Sequence, residues 1–202
     1  ASETKSPSLP ENLTAKARIT ASSEYSPKYQ AKFVADGVIP DDGGKQDLGH
    51  AWCVNGNTHR AGAEITFAWD QPVTVAEVVY YGRTAWFVEE CWKDYQLFVD
   101  DASTPAATGR LEMLHGPQRV KLPAPMTARR LRLKFTSSYG GPNPGASEIQ
   151  IFATSPPDAA LYRLVKTNRP PVDEADPAAL RALIRELQLI HGVKYATAAD
   201  HL

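Results

Sequence analysis

Arg130-Leu131-Arg132-Leu133-Lys134-Phe135 alternates a cation with a large apolar side chain at every step. Successive side chains of a strand point to opposite faces, so this stretch has one buried side and one wet side. Ala63-Glu64-Ile65-Thr66-Phe67 repeats the pattern. Val73 to Tyr81 is instead a β-branched and aromatic run with few polar breaks, the composition of a strand covered on both faces. Tyr95-Gln96-Leu97-Phe98-Val99 and Glu148-Ile149-Gln150-Ile151-Phe152 complete the set. Gly, Pro, Asn and Asp fill the connections, as in Asp70-Gln71-Pro72 and Gly140-Gly141-Pro142-Asn143-Pro144-Gly145. Short strands with turn signals and no helices between them predict an all-β fold, an antiparallel sandwich or barrel, with Trp52, Val79, Leu97, Leu133 and Ile149 in its core.

After Phe152 the composition changes. Ser155-Pro156-Pro157 and Arg169-Pro170-Pro171 are stiff and linker-like. Asp176-Pro177 supplies an N-cap and a first-turn proline, and Leu180, Leu183, Ile184, Leu187 and Ile190 follow at helical spacing up to Gly192. An amphipathic helix is predicted near 177–191, and its apolar stripe needs a surface to lie on. Thr197 to Asp200 reads as the start of another helix, as expected of a piece of a larger polypeptide. The expected organisation is an N-terminal tail (1–11), a β-sandwich (12–154), a Pro-rich linker (155–175), and a helical appendage (176–202) leading into a downstream region.

Charge and motifs exclude several function classes. The 202 residues carry 22 Lys and Arg against 23 Asp and Glu, with no basic block, so neither nucleic acid nor an anionic membrane is expected as partner. No apolar run is long enough to span a bilayer. The opening Ala1-Ser2-Glu3-Thr4 is not a hydrophobic signal segment; it suits a processed terminus or a cloning boundary. The His residues form no H-E-x-x-H pair, and neither a G-x-S-x-G elbow nor a glycine-rich phosphate loop occurs, so the chain reads as non-catalytic. Arg130, Arg132 and Lys134 form the solvent side of a strand that could meet an acidic polysaccharide. Cys53 and Cys91, each beside a tryptophan, leave two readings: buried free thiols, or one disulfide between loops in an oxidising compartment.

A series of segments resembles the discoidin fold, also called F5/8 type C or galactose-binding-like, and the bacterial carbohydrate-binding modules built on it. In order they are Asn12-Leu13-Thr14-Ala15, Ala21-Ser22-Ser23-Glu24-Tyr25, Ala31-Lys32-Phe33-Val34-Ala35-Asp36-Gly37-Val38, Ala51-Trp52, Val79-Tyr80-Tyr81-Gly82-Arg83, Asp94-Tyr95-Gln96-Leu97-Phe98-Val99 and Ala146-Ser147-Glu148-Ile149-Gln150-Ile151-Phe152. The resemblance implies a jelly-roll β-sandwich and a lectin-like, non-catalytic module. Such a module would carry a larger secreted, periplasmic or cell-surface protein to glycans, mono- or oligosaccharide. A protein–protein adhesion module of the discoidin type is the alternative.

The same resemblance implies a structural calcium ion held by Asp36 and Glu148, with Val38 and Asp41 beside them. The family's Thr before the tryptophan is replaced here by a longer Pro40–Asp47 segment and His50, with Asp41, Asp42 or Asp47 as substitute ligands. For the ligand it points to Arg83, where sugar-binding members carry a hydrogen-bonding arginine. A sugar needs an aromatic ring for its C–H face and fixed donors for its hydroxyls, which adds Trp86, Phe87 and Tyr139 as walls and Asn55 and His59 as polar partners. Against this, Arg83 could pair with Glu89 or Glu90, and Trp86 could pack under its own loop.

Overall fold

The computed structural model describes residues 8–40, 46–59, 62–161 and 176–191, the last group without the side chains of 183 and 186–191. Its strands are β1 (Arg18–Ala21), β2 (Trp52–Cys53), β3 (Ala63–Tyr81), β4 (Asp94–Val99), β5 (Ala107–Arg110), β6 (Gln118–Phe135), β7 (Gly145–Ala146) and β8 (Glu148–Phe152). One six-stranded sheet runs β1-β3-β6-β4-β5, with β8 on the other side of β3, and β2 pairs with β7 separately. The strand pairs are antiparallel.

The two long strands make the sandwich. β3 and β6 pair from Ala63 opposite Phe135 to Tyr80 opposite Gln118, with register breaks between Ala68 and Val73 and between Val75 and Glu77. On a straight strand at about 3.3 Å per residue, Ala63 and Tyr80 would lie more than about 50 Å apart. Yet the rings of Tyr80 and Phe135, the partner of Ala63, are 6.0 Å apart between centroids. The paired ribbon therefore folds back over itself near Asp70–Pro72, and one hydrogen-bonded sheet supplies both layers. The alternation read in 63–67 and 130–135 now has its cause: Ile65, Phe67, Leu131, Leu133 and Phe135 face the space between the layers.

Aromatic rings fill that space. Trp92 stacks on Phe135 at 4.9 Å and 4°, while Trp52 leans on both at 6.0 and 6.2 Å. The expected core residues Trp52, Val79, Leu97, Leu133 and Ile149 are all buried. The second half of β3 is buried on both sides, as its composition implied. Val78 and Tyr80 face the main core, whereas Val79 and Tyr81 join Phe152 and Leu161 in a smaller outer cluster with Leu9 and Ile39.

Leu161 lies beyond the expected boundary at 154. The segment after Phe152 turns back over the sheet, where Arg119 donates to buried Glu77 at 2.6 Å, to the Pro156 carbonyl at 2.6 Å and to Asp158 at 2.5 Å. The packed body thus runs from residue 8 to 161, and the rest of the expected linker lies outside the described residues. A helix spans Pro177–His191 as the spacing predicted, with Leu180 and Ile184 half-buried.

The disulfide reading is corrected. Cys53 pairs with Gly145 across β2 and β7, and Cys91 bridges to Gly145 from the other side. One strand therefore separates the two cysteines, placing their Cα atoms roughly 9–10 Å apart at strand spacing, beyond the reach of an S–S bond. Gly145 has no room for a side chain, since a Cβ would overlap the Trp52 carbonyl and the Cys53 backbone. Both thiols are free and buried, and burial pushes each up to about 12. The cysteines accordingly say nothing about an oxidising compartment. Thiol titration without reductant should count none in the native protein and two in denaturant; none in denaturant would restore the disulfide.

Candidate functional site

β3 delivers the chain through Gly82 to Arg83 at one end of the sandwich. Arg83 was expected to reach out toward a ligand, and the structure corrects this: it turns inward and is only 8% exposed. Its Nε and Nη2 donate to the two carboxylate oxygens of Asp47 at 2.7 and 2.8 Å. Its Nη1 donates to Glu90 at 2.7 Å and to the Asn143 carbonyl at 3.2 Å. The guanidinium carbon lies 4.9 Å from the centre of the Tyr29 ring. Four of the five N–H donors of the group are thereby used. The pairing with Glu90 was one of the alternatives read from sequence, whereas Asp47 had been read as a substitute calcium ligand.

These bonds tie loops together. Asn143 also donates its side-chain amide to the Val54 carbonyl at 3.2 Å, Gly56 N–H donates to Pro142 at 2.7 Å, and Gly141 N–H donates to Glu89 at 2.9 Å. Gly56 allows that approach because a Cβ there would overlap the Pro142 carbonyl. Burial works against the Arg83 charge, but the Asp47 bonds outweigh it and hold the guanidinium protonated more firmly than usual. Two acids face one cation, so the cluster carries a surplus negative charge. Burial, reinforced by Asp47 and opposed by Arg83, holds the Glu90 carboxyl above the usual carboxylate range.

On this base stands an aromatic pair. The backbone N–H groups of Trp86 and Phe87 both donate to Thr84 Oγ1, at 3.3 and 3.2 Å, and each side chain is 44% exposed. Trp86 therefore does not pack under its own loop. The Arg185 guanidinium carbon, from the C-terminal helix, lies 5.9 Å from the Trp86 ring centre. Tyr139 is half-buried, and its hydroxyl donates to the Leu111 carbonyl at 2.7 Å. Asn55 is exposed but its side-chain oxygen caps Asn57 N–H at 3.0 Å, and His59 Nδ1 lies 2.7 Å from Thr58 Oγ1. Tyr25 and Tyr29 were not singled out from sequence. Tyr25 is half-exposed and meets Tyr29 edge-on at 6.1 Å, beside the Arg83 cluster. Their spacing, four apart in a loop, carries no periodic signal.

The residues expected to hold calcium lie elsewhere in the fold. Glu148, 1% exposed at the start of β8, accepts the Gly37 N–H at 3.2 Å. Asp36 accepts Val38 N–H at 2.8 Å, and its other oxygen lies 2.8 Å from His50 Nδ1. Burial, with Asp36 adding its charge, pushes Glu148 up to about 8. A buried carboxylate beside a second acid is a donor set that suits a hard cation. Among the described residues no group of three or more His, Cys, Asp or Glu side chains converges, so carbonyl or water oxygens would have to complete the shell. Asp41 and Asp42 lie outside the described residues.

The family model for the F5/8 type C domain matches residues 18–149. The chain belongs to the F5/8 type C domain family. Solved structures place this F5/8 type C chain in the fold of carbohydrate-binding modules and lectin domains. The Clostridium perfringens module CpGH89CBM32-5, in complex with GalNAc-β-1,3-galactose, is 20% identical with a TM-score of 0.59, covering 71% of this chain and all of that one. The family 32 module of C. perfringens NanJ, in complex with galactose, is 17% identical with a TM-score of 0.56, covering 72% and 97%. The lectin domain of lectinolysin, complexed with Lewis B antigen, is 18% identical with a TM-score of 0.55, covering 72% and 98%. No curated protein sequence matches the chain. No helix among the described residues is long and apolar enough to cross a membrane.

Removing one partner of a buried ion cluster strands the others without compensation, at a cost of about 3–5 kcal/mol. Arg83→Ala should therefore lower the melting temperature of this F5/8 type C domain sharply, measured by calorimetry. A variant that melts with the parent would show that the cluster does not hold the loops.

Proposed function

We propose that this chain is a non-catalytic glycan-binding module of a larger secreted, periplasmic or cell-surface protein, and that its ligand stacks on Trp86 and Phe87. One observation carries the reading: two consecutive large aromatic side chains stand exposed on a loop whose base is locked by a buried ion cluster. A rigid loop that exposes such rings bears the entropy cost of ordering before any ligand arrives. A sugar presents a C–H face to a ring and hydroxyls to fixed donors, and the remaining Arg83 N–H sits at the root of the same loop. The ligands in the neighbouring structures, galactose, GalNAc-β-1,3-galactose and Lewis B antigen, support a terminal sugar as the class to try first.

An open site with few contacts implies weak binding, on the order of 10⁻³ to 10⁻⁴ M. On a glycan array followed by calorimetric titration, galactose- or fucose-terminated glycans should bind in that range. Trp86→Ala and Phe87→Ala should each abolish binding while lowering stability far less than Arg83→Ala does, because neither side chain belongs to the buried ion cluster. Binding that survives both substitutions would move the ligand elsewhere, and a chain that binds a protein surface but no glycan would make it an adhesion module.

The calcium ion is proposed as a structural partner of the same fold. Asp36 and Glu148 would hold it, with Val38 offering its carbonyl, and the ion would take the place of the proton that burial otherwise keeps on Glu148 near neutral pH and tie the Asp36–Val38 loop to β8. A ligand bound only to the folded state raises its stability. Chelator should lower the melting temperature, added calcium should restore it, and Asp36→Ala should lose the response. A melting curve indifferent to chelator would leave Asp36 as a turn residue bonded to His50.

A further inference from the structure

The solvent face of β1-β3-β6-β4-β5 has a composition unlike the rest of the molecule. Residues paired across strands point to the same side, so the registers define its rows. Arg18, Ala68 and Arg130 form one row, Thr20, Thr66, Arg132 and Phe98 the next, then Glu64, Lys134, Gln96 and Thr108. Asp94 and Arg110 close it. Five cations, Arg18, Arg110, Arg130, Arg132 and Lys134, thus share the face with two acids, in a chain whose net charge is −1.

The ion pairs on this face are weak. Arg130 pairs with Asp101 at the rim, and Asp101 is 91% exposed. Arg132 meets Glu64 only at 3.4 Å, and Arg110 meets Asp94 at 3.0 Å in the open. The pairs of Arg130 and Arg110 are exposed, contribute little and yield to a better anion, whereas that of Arg132 is half-buried and long. The Nε atoms of Arg130 and Arg132 are buried, so any anion would be met by their outer Nη groups, one of which, on Arg132, donates to the Ala102 carbonyl at 3.1 Å. Arg132 is already ordered, its guanidinium lying 4.7 Å from the Phe98 ring centre. Arg130, Arg132 and Lys134 succeed one another about every 6.7 Å along β6, as alternate residues of a strand do.

We propose that this face is a second binding surface, separate from the Trp86 loop, for an anionic polysaccharide. Its carboxylates or sulfate esters would engage the row Arg130, Arg132 and Lys134, with Arg18 alongside. Thr20, Thr66, Thr108 and Gln96 stand between the cations as partners for sugar hydroxyls. A broad five-stranded sheet does not fit the major groove of B-DNA, which admits a helix or a two-stranded ribbon. Phe98 is buried under Arg132, so no exposed ring among the face residues offers a base a stacking surface. An extended anionic polymer lying flat across the strands is the partner that this spacing of cations and hydroxyl side chains suits best.

The test uses the intact chain against dextran sulfate, polygalacturonate, neutral dextran and duplex DNA, over a range of salt. One or both acidic polysaccharides should bind, the tighter naming sulfate or carboxylate, with an affinity that falls as salt rises. The double variant Arg132→Gln/Lys134→Gln should bind about tenfold more weakly, and its slope of log Kd against log salt should drop by about two, one for each cation removed. Lys121→Gln, beyond the bend of β6, should bind like the parent. Should the double variant fail to fold, Arg18→Gln/Lys134→Gln removes two exposed cations that carry no ion pair among the described residues. Equal binding of neutral dextran, tighter binding of DNA than of both acidic polysaccharides, or charge variants that bind like the parent would each overturn the proposal. Trp86→Ala should leave polyanion binding intact, so failure here and failure of the loop site are read separately.

Discussion

The guanidinium of Arg83 joins three loops that strand pairing alone would leave apart. Asp47 comes from the segment before β2, Glu90 from the turn before β4, and Asn143 from the turn before β7, and all three bond to one planar group. A buried guanidinium is tolerable only when its donors are satisfied in a fixed fork, so the cluster either forms completely or costs stability. That constraint reaches outward. Because the base of the loop is rigid, Trp86 and Phe87 can be displayed without being ordered by burial.

A second buried ion pair works at the other end of the same sheet. Arg119 meets Glu77 on β3 and also grips Pro156 and Asp158, which brings Leu161 down on Val79, Tyr81 and Phe152. The two clusters bracket the region of β3 that is buried on both faces. Between them, Trp92 stacked on Phe135 fixes the spacing of the layers.

The molecule has surfaces of different character. The loop end exposes aromatic rings above a cluster with surplus negative charge, which suits a neutral ligand held by stacking. The sheet face beyond β6 exposes cations separated by hydroxyl and amide side chains, which suits an anion. The two lie on separate parts of the sandwich, one on its connecting loops and the other on a strand face. A glycan carrying both a terminal sugar and an acidic stretch would match both chemistries at once.

The strand periods, the turn residues, the helix at 177–191 and the all-β class were fixed by local pattern, because alternation and capping act between residues close in the chain. The order of motifs from Asn12 to Phe152 was enough to indicate the family. Partnership at a distance was not legible in that way. Nothing in the spacing of Asp47, Arg83 and Asn143 shows that they meet, and a buried arginine is spelled like an exposed one. The same holds for the cysteines, whose separation by one strand depends on where Gly145 falls in the register. Neighbours at strand spacing point to opposite sides, so the sequence could say only that Trp86 and Phe87 would not both be core unless their loop folded over. Only the folded ribbon of β3 and β6 decided that both would face solvent and that Arg83 would not, since burial is a property of the packed layers and not of the chain.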